Sequence, residues 1–230
     1  MGSPPQWLQK TDDRIQSNAD ATTAQLSSFG LLKSAVSSSQ VVAHALANLP
    51  STATADELTK AAGNFYNAFN ATVTAAKNAS SGSGTMAATQ SASRVIRETK
   101  SALTMNSAAQ AAMTKLGLSV QSDGSLIQDA KKFAAALSSD PAGVRAAMVT
   151  LGKQVDSVAS KELATDGAVS SAISSLTQRS TTLAAQQKAL KALEASMAAS
   201  QTTSASSQAS TYSGLYGSSI SAYRSGLTGN

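Results

Sequence analysis

A chain of 230 residues has room for one domain or two small ones, but its 42% hydrophobic content is largely alanine and only 4% of it is aromatic, so a thin, elongated, helical core is expected. The absence of cysteine excludes a disulfide framework, a thiolate metal site and a cysteine nucleophile. The net charge of +5 raises the question of nucleic acid, yet the largest basic cluster, Arg94, Arg97 and Lys100, has no interleaved aromatic side chain for base stacking and reads as a solvated helix face.

Residues 1–10, with Pro4 and Pro5, are expected to be a flexible start. Apolar residues then recur at helical spacing through Ile15, Ala19, Leu26, Phe29, Leu32, Val36, Leu46 and Leu49, which predicts one helix over 11–50 ended by Pro50. At the α-helical rise, 35 to 40 residues reach roughly 50 to 60 Å, a length normal for a coiled coil. Thr54 and Glu57 have the spacing of a capping box, and Leu58, Phe65, Phe69 and Val73 form the stripe of a second helix with Tyr66 close by. The stretch Ser80 to Gly84 is a loop by composition, and a third helix is expected from about Met86 to Leu116 around Val95, Ile96 and Leu103.

Helical periodicity stops at GLSVQSDGSLIQD. Asp123 and Gly124 carry the signal of a two-residue turn, flanked by Leu118, Val120, Leu126 and Ile127, so a small β-hairpin is expected near 118–127. Asp129 can cap a short helix through Phe133 and Leu137, and Asp140 with Pro141 starts another, completing a helical core over 51–166. A long helix over 167–200 carries Val169, Ile173, Leu176, Leu183, Leu190 and Met197, stepped by four, three and then sevens. Ser180, Gln187 and Glu194 take the intervening heptad positions of this coiled-coil seam. Residues 201–230 are a low-complexity tail, expected to stay disordered until a partner orders it.

The chemistry of a catalytic site is missing. His44 is the only histidine, has no carboxylate within one turn, and is expected on a surface or seam. No nucleophile elbow, Walker pattern or dinucleotide fingerprint is present. Asp12 with Asp13, and Asp56 with Glu57, sit where helix starts favour negative charge. Asn70 and Asn78 begin Asn-x-Thr and Asn-x-Ser triplets, frequent by chance in so Ser- and Thr-rich a chain. No enzyme, cofactor, metal or nucleic-acid partner is expected. No apolar run approaches the roughly 20 residues of a membrane helix. The first residues lack the apolar stretch of a cleaved signal peptide, so export without one is expected.

Three stretches, in order, are similar to the bacterial flagellar filament-cap family (flagellar hook-associated protein 2). They are QLSSFGLLKSAVSSSQ (Gln25 to Gln40), FYNAFNATV (Phe65 to Val73) and LGLSVQSDGSLIQDAKKFAAALSSDPAGV (Leu116 to Val144). In the last, Leu116 and Gly117 match the pair that opens the family's hairpin, Asp123 and Gly124 its turn, and Asp140 with Pro141 its next helix start. Only Pro50 to Ala53 stand where the family carries large β-rich domains, so the resemblance implies a minimal form without them. It also implies a ring-like homo-oligomer at the filament tip that promotes flagellin polymerisation. Flagellin, other flagellar axial proteins and an export chaperone would be its partners, and the flagellum outside the cell its location. A secreted helical module, such as a type III secretion tip component or an adhesion factor, is the alternative. The two long helices are expected to pack with each other and with neighbouring subunits along seams at Ile15, Leu26, Phe29, Leu32, Val36, Val169, Ile173, Leu176, Leu183, Leu190 and Met197, with Leu26, Phe29, Leu32 and Val36 against Ile173, Leu176, Leu183 and Leu190.

Overall fold

The computed structural model describes residues 5–82 and 84–226, with side chains described to residue 200. Its described elements are α1 (Gln6–Ala47), α2 (Ala55–Ser81), α3 (Met86–Thr104), α4 (Ser107–Lys115), β1 (Leu118–Val120), β2 (Leu126–Gln128), α5 (Ala130–Ser139), α6 (Pro141–Leu163) and α7 (Ala168–Gly226). The protein is mainly α with one small antiparallel hairpin, as the sequence predicts.

The helix boundaries follow local chemistry. α1 starts at Gln6 rather than after a flexible start, because Pro5 accepts from the amide of Leu8 at 2.9 Å and Leu8 is fully buried. Residues 1–4 of the expected start lie outside the described residues. The capping box of α2 is formed: the Thr54 amide donates to Glu57 Oε2 at 2.8 Å and the Glu57 amide to Thr54 Oγ1 at 3.3 Å. The single helix expected from Met86 to Leu116 is broken in two. Asn106 caps α4, its Oδ1 accepting from the amides of Ala108 and Ala109 at 2.9 and 3.2 Å. Leu103 and Met105 before that break and the alanines after it carry apolar periodicity across it. α7 passes Ser200 and remains helical to Gly226; no proline follows Pro141, so no residue there lacks the amide donor a helix needs. Residues 227–230 of the expected tail lie outside the described residues.

The hairpin pairs Leu118 with Gln128 and Val120 with Leu126. Its connection is longer than the two-residue turn expected. Gln121 N donates to Ser125 O at 2.7 Å, the Gly124 amide donates to Gln121 O, and of these residues only Gly124 takes a positive φ, +89°. That is a three-residue loop with glycine in the left-handed position, since Asp123 would have to share it in a tight two-residue turn. The hairpin is fastened to α2 by Asn70, whose Oδ1 accepts from Leu126 N at 2.7 Å and whose Nδ2 donates to Leu126 O at 3.1 Å. Lys77 of α2 pairs with Asp123 at 2.6 Å.

The chain divides into two compact units, residues 18–181 and residues 1–17 with 182–230. The larger unit holds two core clusters. One gathers Phe65, Phe69, Phe133, Leu46, Leu58, Leu103, Met148 and Leu151. The other joins Phe29, Leu32, Val36, Val95, Val169 and Leu176 to seven buried alanines. Such small side chains let helix backbones approach closely, which reconciles a core with so few aromatics. The smaller unit buries Leu8, Ile15 and Leu183.

Candidate assembly surface

Buried positions along α1 follow a 3–4 alternation: Thr22, Gln25, Phe29, Leu32, Val36, Ser39, Ala43 and Leu46, with Leu8 and Ile15 continuing the seven-residue step toward the N-terminus. This is a heptad seam. On α7 the sequence Val169, Leu176 and Leu183 is buried, and Ile173, Ser180, Gln187, Leu190, Glu194 and Met197 are half-buried at the alternating positions.

The structure sorts the expected interface residues into the two units. In the larger one, Phe29, Leu32 and Val36 share a cluster with Val169 and Leu176, and Leu26 and Ile173 pack against it half-buried. Arg179 of α7 donates to Thr22 Oγ1 at 3.3 Å and Asn18 Oδ1 at 3.2 Å. In the smaller unit lie Ile15, Leu183, Leu190 and Met197, and Gln187 donates to Gln16 at 2.6 Å. Leu183 and Leu190 therefore belong with the first turns of α1 and not with Leu26 to Val36. In the larger unit these seam residues are occupied by the chain's own packing.

Sequence reasoning missed the polar members of the seam. Thr22, Gln25 and Ser39 are at most 3% exposed. Gln25 Oε1 accepts from Thr85 N at 2.7 Å and so ties α1 to the start of α3. Continuing the seven-residue step from Leu8 and Ile15 marks Thr22 directly; scoring apolar residues alone passes over it.

What faces outward on α1 is unusual for a solvated helix. The exposed residues between Ala24 and Ala45 are Ala24, Ser27, Gly30, Leu31, Lys33, Ser34, Ser38, Val41, His44 and Ala45, so only Lys33 and His44 are ionisable. Leu31 and Val41 are 68% and 70% exposed. Helix faces in water ordinarily carry many charges. His44 meets Asp156 of α6 at 3.3 Å, a carboxylate distant in sequence. Elsewhere the expected basic face of α3 is partly neutralised, since Arg94 binds Glu98 at 2.6 Å and leaves Arg97 exposed.

Among the described residues no three His, Asp or Glu side chains gather as metal ligands. No described helix is long and apolar enough to cross a membrane. Comparison with curated proteins and with solved structures returned no significant match. The family model described as flagellar hook-associated protein 2 C-terminus matches residues 47–217, which takes in the Tyr66 helix, the hairpin, α5, α6 and α7 as far as residue 217 and leaves the Gln25 to Gln40 stretch outside it. With most of its length matched, the chain belongs to the flagellar hook-associated protein 2 family, structural proteins of the bacterial flagellum.

Proposed function

We propose that the chain is a subunit of a filament cap, a homo-oligomer at the flagellar tip that promotes flagellin polymerisation and has no catalytic activity of its own. The family match over residues 47–217 carries this reading. The outward side of α1 supports it: a face with two exposed aliphatic side chains and almost no charge suits burial against a neighbouring subunit. The seams read from sequence as the interface are largely filled within the chain, so the subunit contact is assigned to Leu31 and Val41 instead. Flagellin and other axial proteins are the proposed partners, and an export chaperone accompanies the chain before assembly.

Sedimentation of the purified chain, together with electron microscopy of cells lacking it, tests the proposal. Higher-order species, and short or missing filaments with flagellin leaking into the medium, are expected. Normal filaments would overturn the cap reading. Leu31→Asp with Val41→Asp is expected to shift sedimentation to the monomer at unchanged helicity; an intact oligomer would remove this face from the subunit contact.

A further inference from the structure

Glu162, on the last turn of α6, is 1% exposed. Its Oε2 accepts from the amide of Ala168, the first residue of α7, at 3.2 Å, while its Oε1 is buried and meets no donor. The cations nearby are engaged elsewhere: Arg94 Nε lies 2.6 Å from Glu98 Oε1 and Lys161 Nζ 3.0 Å from Glu98 Oε2. Besides burial, Glu98 acts on Glu162 as a neighbouring carboxylate, pushing the Glu162 carboxyl up by hydrogen bonding and by charge. An ionised Glu162 would thus present a desolvated, unpartnered oxygen to a second carboxylate. A protonated one turns that oxygen into a donor which Glu98 can accept.

We propose that Glu98 and Glu162 share one proton, Glu162 Oε1–H donating to the Glu98 carboxylate, and that this proton fastens the turn joining α6 to α7. The turn leaves little freedom to escape the contact. A Cβ added at Gly167 would stand 2.3 Å from Glu162 O and 2.4 Å from Lys161 O, so the chain is wound closely onto the end of α6. The cavity beside Glu162 measures about 10 Å³, at the lower limit for one water and far short of a hydration shell. α1 faces it with Val36 and Ser39 and α2 with Thr72, none of them titratable. α3 contributes Arg94 and Glu98, α6 Lys161, and α7 only its N-terminal amides, while Asp166 on the turn is exposed.

Burial first, and then Glu98, push Glu162 up to about 6. Glu98, although burial raises it, is held down to about 2 by hydrogen bonds from Arg94 and Lys161. A carboxyl whose folded pKa lies above its unfolded value stabilises the fold fully below the unfolded value and loses that contribution as pH rises through the folded one. For Glu162 the window runs from 4.5 to about 6.

The chain has only four glutamates, Glu57, Glu98, Glu162 and Glu194, so carboxyl carbon NMR on the glutamate-labelled full chain resolves the titration. One carboxyl is expected to titrate near pH 6 and to move toward the ordinary range in Glu98→Gln. Four carboxyls titrating below about pH 5, or a Glu162 titration unmoved by Glu98→Gln, would overturn the shared proton. The fastening role is read from urea unfolding: the folding equilibrium is expected to weaken by about 8-fold between pH 5 and 7.5. Protection of the Ala168 amide from exchange should fall with it. Glu162→Gln, whose amide donates to Glu98 at any pH, is expected to flatten both responses. If that variant does not fold, the wild-type titration and Ala168 protection decide alone; protection constant across the window would overturn the fastening role.

Discussion

Asn70 does with one side chain what a third strand would do with a backbone, giving an acceptor and a donor to Leu126. Asn70→Ala leaves both Leu126 groups without partners in a half-buried place, and the expected loss is about 1–3 kcal/mol, measured as a lower urea midpoint at unchanged helix content. The carboxylates around the hairpin predict an acid response of opposite sign to that of Glu162. Hydrogen bonds from Lys77 and Ser125 hold Asp123 far below the usual carboxylate range, and Lys115 with the Gly143 amide lowers Asp140. Their contributions are present above the unfolded value of 3.8 and fade as pH falls below it. Lys77→Met is expected to reduce the loss of stability below about pH 4, checked by thermal melts across pH 2 to 5. Thr54, Glu57, Asp129 and Asp140 were legible in the sequence because each bonds within three residues of itself. Asn70 was not, since its partner lies 56 residues away. Its triplet with Thr72 looks like a glycosylation acceptor until Thr72 is found buried and bonded to Ala35 O at 3.1 Å.

Between elements, α6 approaches α1 closely at Gly152. A Cβ on Gly152 would stand 2.5 Å from Ala47 N and 2.7 Å from Ala43 O, backbone atoms that cannot turn aside. Replacing a mid-helix glycine by alanine ordinarily gains up to about 1 kcal/mol; overpacking costs about 1–3 kcal/mol, so the clash decides the sign. Gly152→Ala is therefore expected to lower the melting temperature. Gly63→Ala on α2, where nothing lies within 4 Å of the added carbon, is expected to raise it. Melts that move together in both variants would mean that α6 can draw away from α1 without loss. An isolated glycine inside the helical pattern TLGKQV was a visible signal for such an approach. The break at Asn106 was marked only by Asn106 itself, a residue that favours a helix cap, and the residues on either side suit a helix without one.

At the scale of the whole chain, long helices were legible from periodicity and the division into units was not. α1 and α7 each run on through the points near Ser17 and Thr182 where the units part, and a continuous helix gives no mark of that change in its own pattern. The cores differ sharply in what they bury. All four phenylalanines lie in residues 18–181, whereas the described part of the other unit relies on Leu8, Ile15 and Leu183, with Leu190 and Met197 half-buried. A unit with so little large apolar surface has little stability to lose. Leu183 is 7% exposed, and an unpaired charge in its place costs several kcal/mol. Leu183→Asp is expected to abolish the helical structure of residues 6–17 and 182–226 and to leave residues 18–181 folded. Circular dichroism should show a reduced helical signal with the main thermal transition retained. Limited proteolysis should trim both ends and spare a fragment near 18–181. A variant that keeps its full helical signal would show that Leu183 is not what holds the terminal helices, and loss of the main transition would show that the two cores melt as one.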